Sequence, residues 1–268
     1  MTTLRACLQD VCGAVVSVFF PAPCRLCGEM LGTAARIPIC SSCLASLRPL
    51  GGPCCSRCGR PFASTVAAES SDLPLCHICR RGLYDFDFAR SYGAYTASMA
   101  GAIMLLKYQE VTPLAKWFAT VLRETFDACR EKYAADVVVP VPVHALRLRE
   151  RGYNHAELIA RPLARWLRLP CRSYLLVRNR PRPDKLRLTL RERWRSVRGA
   201  YTIRYGLRVD NLRVLLVDDV LTTGATLDAC SRALRKAGAA RVVALTVARA
   251  IPRREEGAFE VPRREPDG

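Results

Sequence analysis

Two groups of residues in this 268-residue chain have types and spacings suited to chemistry. In VLLVDDVLTTGATLDAC, Val214 to Cys230, a four-residue apolar run leads to Asp218 and Asp219 and then to a small, hydroxyl-rich turn. Neighbouring carboxylates at the end of a strand can accept hydrogen bonds from the vicinal hydroxyls of a ribose. The loop Leu221–Thr226 adds the hydroxyls of Thr222, Thr223 and Thr226, and Gly224 frees the backbone to aim N–H groups at an anion. A helix starting at Leu227 would turn its positive end toward the same point. Together these features make a cradle for a phosphate monoester attached to a sugar. A capped helix after an edge strand would account for Thr226 but not for the acid pair.

The second group is sulfur. Eight of the 14 cysteines form four C-x-x-C pairs before residue 80: Cys24/Cys27, Cys40/Cys43, Cys55/Cys58 and Cys76/Cys79. Such repetition fits zinc in a reducing compartment better than disulfides in a secreted chain. Glycine follows the first and third pairs, where a positive backbone torsion lets the turn aim N–H groups at both thiolates. The region therefore reads as one unit used twice, each giving four thiolates to a closed, tetrahedral structural zinc. Sequential pairing follows the glycine pattern; Cys54 in place of Cys55, or His77 in place of a neighbour, stays open. Cys7, Cys12, Cys129, Cys171 and Cys230 read as small core residues.

Three zones must position these groups. Residues 1–84 begin with a helix whose Leu4, Leu8, Val11, Val15 and Val18 share one face, ending before Pro21, and continue into the double zinc ribbon. Residues 85–250 alternate helical and extended runs. Helices are expected at Met99–Leu106, Pro113–Cys129, HAELIARPLARWL and TLDACSRALRKAG. Strands are expected at DVVVPVPV, RSYLLVR, GAYTI, RVLLVDD and RVVALTVA, with a charged loop over Arg178–Arg198. That alternation predicts an α/β domain, a mostly parallel sheet flanked by helices, with ligands beyond the carboxyl ends of its strands. Residues 251–268 read as a disordered charged tail. No stretch nears the roughly 18 apolar residues of a membrane span, and no small-x-small cleavage pattern follows the first apolar run, so a cytoplasmic site is expected.

Charge narrows the partners. The chain has 42 basic and 24 acidic residues, net +18, and 19 basic against 5 acidic residues lie between Pro140 and Arg213. That excess favours a polyanion or a phosphorylated ligand. Tyr153, Trp166, Tyr174 and Trp194 are interleaved with the cations, a composition suited to stacking single-stranded bases. Core packing is the preferred reading of Trp166 and Tyr174, whereas Trp194, inside a run of arginines, should be exposed. His144 and His155 read as structural hydrogen-bonding residues, and Lys107 is balanced between a solvated helix end and a ligand contact.

VLLVDDVLTTGAT resembles the phosphoribosyl pyrophosphate (PRPP) motif of type I phosphoribosyltransferases. With cysteine ribbons upstream, and with LKY at Lys107, VPVPVH at Val139–His144, RERGYNHAELIA at Arg149–Ala160 and RERWRSVRGAY at Arg191–Tyr201, the chain resembles the ComF family, linked to natural competence. The resemblance covers roughly residues 15–250 and implies a type I phosphoribosyltransferase-like fold behind a small four-cysteine zinc-ribbon domain. It implies ribose contacts from Asp218 and Asp219, a 5′-phosphate held by Val220, Leu221, Thr222, Thr223, Gly224, Ala225 and Thr226, and a first loop including Pro140 and Val141 that meets pyrophosphate. Lys107 and Arg151 join the acids in the implied catalytic set. Arg178–Arg195 matches the mobile loop that closes over the reacting centre, where magnesium-bound pyrophosphate would leave the anomeric carbon. In that loop Arg182 and Lys185 replace a Thr and a Gln of the family pattern, and Ser196 replaces an Asn. Its cations, Arg178, Arg180, Arg182, Lys185, Arg191, Arg193 and Arg195, suit either pyrophosphate or a DNA backbone. The expected cofactors are two structural Zn2+ ions and Mg2+ with PRPP; the expected partners are PRPP or a related ribose phosphate, single-stranded DNA and other DNA-uptake proteins. The leading reading is a PRPP-binding protein that aids DNA uptake by binding single strands. The alternatives are a phosphoribosyltransferase of nucleotide salvage with an unknown acceptor and a PRPP-sensing regulator without turnover.

Overall fold

The computed structural model describes residues 22–32, 36–62, 74–181 and 190–251, with only the backbone at 190 and 191. The expected N-terminal helix, Cys7, Cys12, Arg182, Lys185 and the tail from 252 onward lie outside these residues. The elements run α1 (Ser41–Ser46), α2 (His77–Arg80), β1 (Phe88–Ala94), α3 (Ala97–Tyr108), α4 (Pro113–Asp127), β2 (Val137–Pro140), α5 (Ala145–Arg151) and α6 (His155–Leu167). They continue with β3 (Leu176–Arg178), α7 (Leu190–Val197), β4 (Tyr201–Ile203), β5 (Arg213–Leu221), α8 (Ala225–Lys236) and β6 (Arg241–Arg249).

The two long apolar runs, β5 and β6, form the centre of a parallel sheet ordered β1–β6–β5–β2. Side chains alternate across a strand, so each apolar run feeds two cores. Leu215 and Val217 pack with Leu106, Phe118, Ile159 and Leu163 of α3, α4 and α6 on one face. Val214 and Leu216 pack with Leu227 and Leu234 of α8 on the other. β3 and β4 pair antiparallel in a separate two-stranded sheet on this second face, with α7 between them in the chain.

Two local readings change. FARSYGA forms strand β1 although Arg90, Ser91 and Gly93 interrupt its apolar pattern, because β6 supplies a full parallel partner. The expected loop over Arg178–Arg198 contains α7, whose Trp194 and Val197, three apart, face the second core.

The ribbons sit on opposite faces. Cys24, Ile39 and Leu47 join the first core, and the cysteines of the second ribbon join the other. The linker between them and the second ribbon itself bond to edge strand β1: Leu50 N–H donates to Tyr92 O at 2.6 Å and Ala89 N–H to Arg57 O at 2.8 Å. A strand edge that would otherwise invite pairing with another chain is thereby covered. Among the described residues no helix is long and apolar enough to cross a membrane.

Candidate functional site

β5 runs two residues beyond RVLLVDD, so the acids lie inside the paired strand, with Asp218 opposite Thr246 of β6, and not on an edge strand. Asp218 is 8% exposed and Asp219 5%. Lys107, in the last turn of α3, makes an ion pair with Asp219 Oδ2, and His155 Nε2 lies 3.4 Å from the same oxygen. Arg151 Nη1 lies 3.4 Å from His155 Nδ1, and its guanidinium sits 4.4 Å from the centre of the Tyr108 ring. Thus Asp218, Asp219, Lys107 and Arg151 are brought into one cluster from β5, α3 and α5. Lys107 is not a solvated helix end. His155, read from the sequence as structural, completes the cluster at the first turn of α6, where Asn154 caps the helix by accepting from Ala156 N–H at 3.1 Å.

Burial dominates the charges here. It pushes the Asp218 carboxyl up to about 8, aided by the Asp219 carboxylate. Burial would raise Asp219 too, but the Lys107 ammonium and then His155 pull it to about 2. Asp219 in turn holds the Lys107 ammonium above its usual value despite burial. Burial, with the Lys107 and Arg151 charges, outweighs the pull of Asp219 and lowers His155 to about 4. Near neutral pH the cluster is therefore an ion pair, a neutral imidazole and a protonated carboxyl.

The turn after β5 is shorter than the sequence suggested. Leu221 is the last strand residue and buried, pairing with Arg249, while Ala225 and Thr226 already belong to α8. Gly224 takes φ +82°, and the hydroxyl oxygen of Thr223 accepts from Ala225 N–H at 3.3 Å. The first-turn N–H groups of Thr226 and Leu227 have no intrahelical acceptor and point out of the positive end of the 12-residue α8. Tyr84 braces this turn from below: its hydroxyl donates to Thr223 O at 2.9 Å, and its ring fills the space a side chain at 224 would need. Neither contact carries a local sequence signal, because Tyr84 and Thr223 are 139 residues apart.

Pro140 and Val141 are built into the sheet instead of forming an open loop. Val141 N–H donates to Val217 O at 2.9 Å, and its carbonyl accepts from Asn154 Nδ2 at 3.1 Å. With those polar groups committed, the open turn moves to residues 142–144, where His144 caps α5 by accepting from Leu146 N–H at 3.3 Å.

The sulfur forms two four-thiol clusters, Cys24/Cys27/Cys40/Cys43 and Cys55/Cys58/Cys76/Cys79, each with its sulfurs within 4.8 Å of one another. Cys27 and Cys40 Sγ are 3.7 Å apart, as are Cys58 and Cys76 Sγ. Thiolates ~2.3 Å from a tetrahedral zinc are ~3.8 Å apart, so the clusters fit structural zinc. Gly28 and Gly59 take φ +80° and +68° and close matching turns. Cys54 bridges Pro61 as Pro23 bridges Met30, which places it outside the cluster, and His77 is exposed in α2. The buried Arg249 guanidinium donates to Cys58 O at 2.7 Å and lies 3.5 Å from Cys58 Sγ. A buried cation needs an opposite charge, and a zinc tetrathiolate supplies one. Cys230 is fully buried and Cys129 and Cys171 pack against the core, as core residues would.

The cationic residues are spread more widely. Arg178 bonds Arg180 O at 3.0 Å and lies over the Tyr201 ring; Arg193 and Arg195 are on α7. Tyr174 is 64% exposed, not core, because it lies beyond the end of the short β3 strand. Trp166 packs against the core, while Tyr153 donates to Leu106 O at 2.5 Å. Trp194 is half-buried, not exposed, its ring stacked 6.0 Å from Tyr84.

A family profile described as a Double zinc ribbon domain matches residues 15–80, and one described as a Phosphoribosyl transferase domain matches residues 190–262. The second spans the acid pair and the Gly224 turn but not Lys107 or Arg151. DNA utilization protein YhgH of Salmonella typhimurium is 30% identical over 225 residues, 83% of this chain and 94% of that protein. Competence protein F of Haemophilus influenzae is 26% identical over 236 residues, 87% of this chain and 99% of that protein. A solved glutamine phosphoribosylpyrophosphate amidotransferase from B. subtilis is 25% identical, covering 50% of this chain and 26% of that one, with a TM-score of 0.34. Joining two four-cysteine ribbons to a phosphoribosyltransferase domain, and similar to competence protein F over almost its whole length, the chain belongs to the ComF family.

Proposed function

We propose that this ComF-family protein binds PRPP or a related ribose 5-phosphate between the acid pair and the positive end of α8, and that it works on single-stranded DNA during uptake. The observation that carries the first half is the buried Lys107–Asp219–His155 cluster at the end of the strand that leads into the Gly224 turn. A buried acid pair needs a reason, and the ribose hydroxyls beside a 5′-phosphate on the helix N-terminus supply one. Magnesium brought in with the pyrophosphate would neutralise its charge. Asp218, which has no cation on it among the described residues, is the carboxyl best suited to face that metal, whose charge would displace the proton that burial leaves on it. Lys107 would hold Asp219 ionised as a hydrogen-bond acceptor. The second half rests on the +18 charge and on the relatives' names, a DNA utilization protein and a competence protein.

Calorimetry with PRPP and magnesium tests the site. The parent should bind, and Asp218→Asn with Asp219→Asn should not; a parent that binds no PRPP removes the nucleotide-site reading. Pyrophosphate release in the presence of a panel of bases separates transfer from binding without turnover.

A further inference from the structure

A cavity of about 890 Å³ opens between α7, β4 and the outer face of α8, lined by none of the acid pair, Lys107 or the phosphate turn. Its floor is apolar, with Leu83, Trp194, Val197 and the small Ala229 and Ala233 of α8. Its rim is cationic: Arg195 and Arg198 come from α7 and the turn after it, Arg232 and Lys236 from α8. The spacing accounts for this split. Residues four apart share a helix face, so Ala229 and Ala233 leave room on α8 while Arg232 and Lys236 flank it. The acid lining the cavity, Asp228, is buried and already accepts from Asp85 N–H at 2.8 Å and Arg232 Nη2 at 3.0 Å. Arg195, Arg198 and Lys236 make no ion pair among the described residues.

We infer that this cavity seats a segment of single-stranded nucleic acid, its phosphates on Arg195, Arg198 and Lys236 and a base in the apolar floor beside Trp194. The inference rests on the single-strand reading above and gives it a place, adding α8, which the charge pattern of the sequence did not single out. The chemistry selects the occupant. Three unpaired cations beside one another call for a polyanion, whereas a lone phosphate or pyrophosphate would leave the apolar floor unused. A duplex must unstack and unpair a base before lending it to a cavity, at a cost that a single strand is largely spared.

The test is fluorescence anisotropy of a labelled oligothymidylate of about 16 nucleotides, the upper site size of single-strand-binding folds. Each phosphate contact on a single strand adds about 0.7 to the salt slope. Arg195→Gln, Arg198→Gln and Lys236→Gln together should therefore lower the slope by about 2 and the affinity near 0.1 M salt by about 100-fold. Ala233→Leu, which fills the floor without touching charge, should weaken binding and leave the slope unchanged. Far-ultraviolet circular dichroism and the urea-unfolding slope should be unmoved in both variants, which shows that they fold. Oligonucleotide affinity that survives both changes overturns the cavity while sparing the single-strand reading. No binding by the parent overturns both. Equal affinity for duplex overturns base insertion, and a change in sedimentation mass with unchanged oligonucleotide affinity would make the cavity an interface between copies, also against the inference.

Discussion

Gly224→Ala is the sharpest perturbation of the turn between β5 and α8. A Cβ at 224 would lie 2.5 Å from Tyr84 Cε1 and 2.8 Å from its Oη, at φ +82°. The left-handed backbone alone costs a residue with a side chain about 1–2 kcal/mol. Relieving the clash moves Tyr84 off Thr223 O, a bond of 2.9 Å worth about 1 kcal/mol. The move also disturbs its stacking on Phe86, with ring centres 4.5 Å apart, worth about 1 kcal/mol. The substitution should thus lose about 3–4 kcal/mol, a large share of a typical domain's stability. Tyr84→Leu removes the ring atoms that clash, so in that background Gly224→Ala should lose only the backbone part. Urea unfolding of the four proteins, with m held constant, should give a coupling of about 2 kcal/mol, and PRPP affinity should fall with the Gly224→Ala single change. A coupling under about 0.5 kcal/mol would refute the argument that Tyr84 shapes the turn.

Lys107→Met leaves Asp219 buried without its cation and should destabilise the fold by about 3–5 kcal/mol, much of it regained by adding Asp219→Asn; a loss under about 1 kcal/mol would mark the pair as solvated. Stability should also track pH. His155 is depressed from the usual 6.5 to about 4, so its contribution is full above about 6.5 and is lost as pH falls through that window, about 3 kcal/mol in all. Asp218 runs the other way: its contribution is full below about 3.8 and fades as pH rises to about 8, so Asp218→Asn should remove that decline of calorimetric stability across the window. A chelator should lower the melting temperature of the sheet domain as well as of the ribbons, because Arg249 of β6 would face Cys58 without a metal-held thiolate; a ribbon transition that moves alone would count against that coupling.

Local pattern carried much of this protein. Period-3.6 spacing placed His155–Leu167 and Pro113–Asp127 almost to the residue, because apolar faces are short-range signals. Cysteine spacing with Gly28 and Gly59 paired the thiols, because a metal knuckle is built within a few residues. The acid pair and its threonines stand out in the sequence too, and the sugar-phosphate grip they suggest is the reading proposed above. What tertiary structure decided depends on distant chain. β1 exists as a strand because β6 pairs with it. Lys107 and His155 reach Asp219 only once α3 and α6 pack on the sheet, and that burial sets which carboxyl is charged. Tyr84 reaches Thr223 across 139 residues. Spacing along a chain records the neighbours a residue has in sequence, whereas charge state and close packing depend on the neighbours it acquires in space.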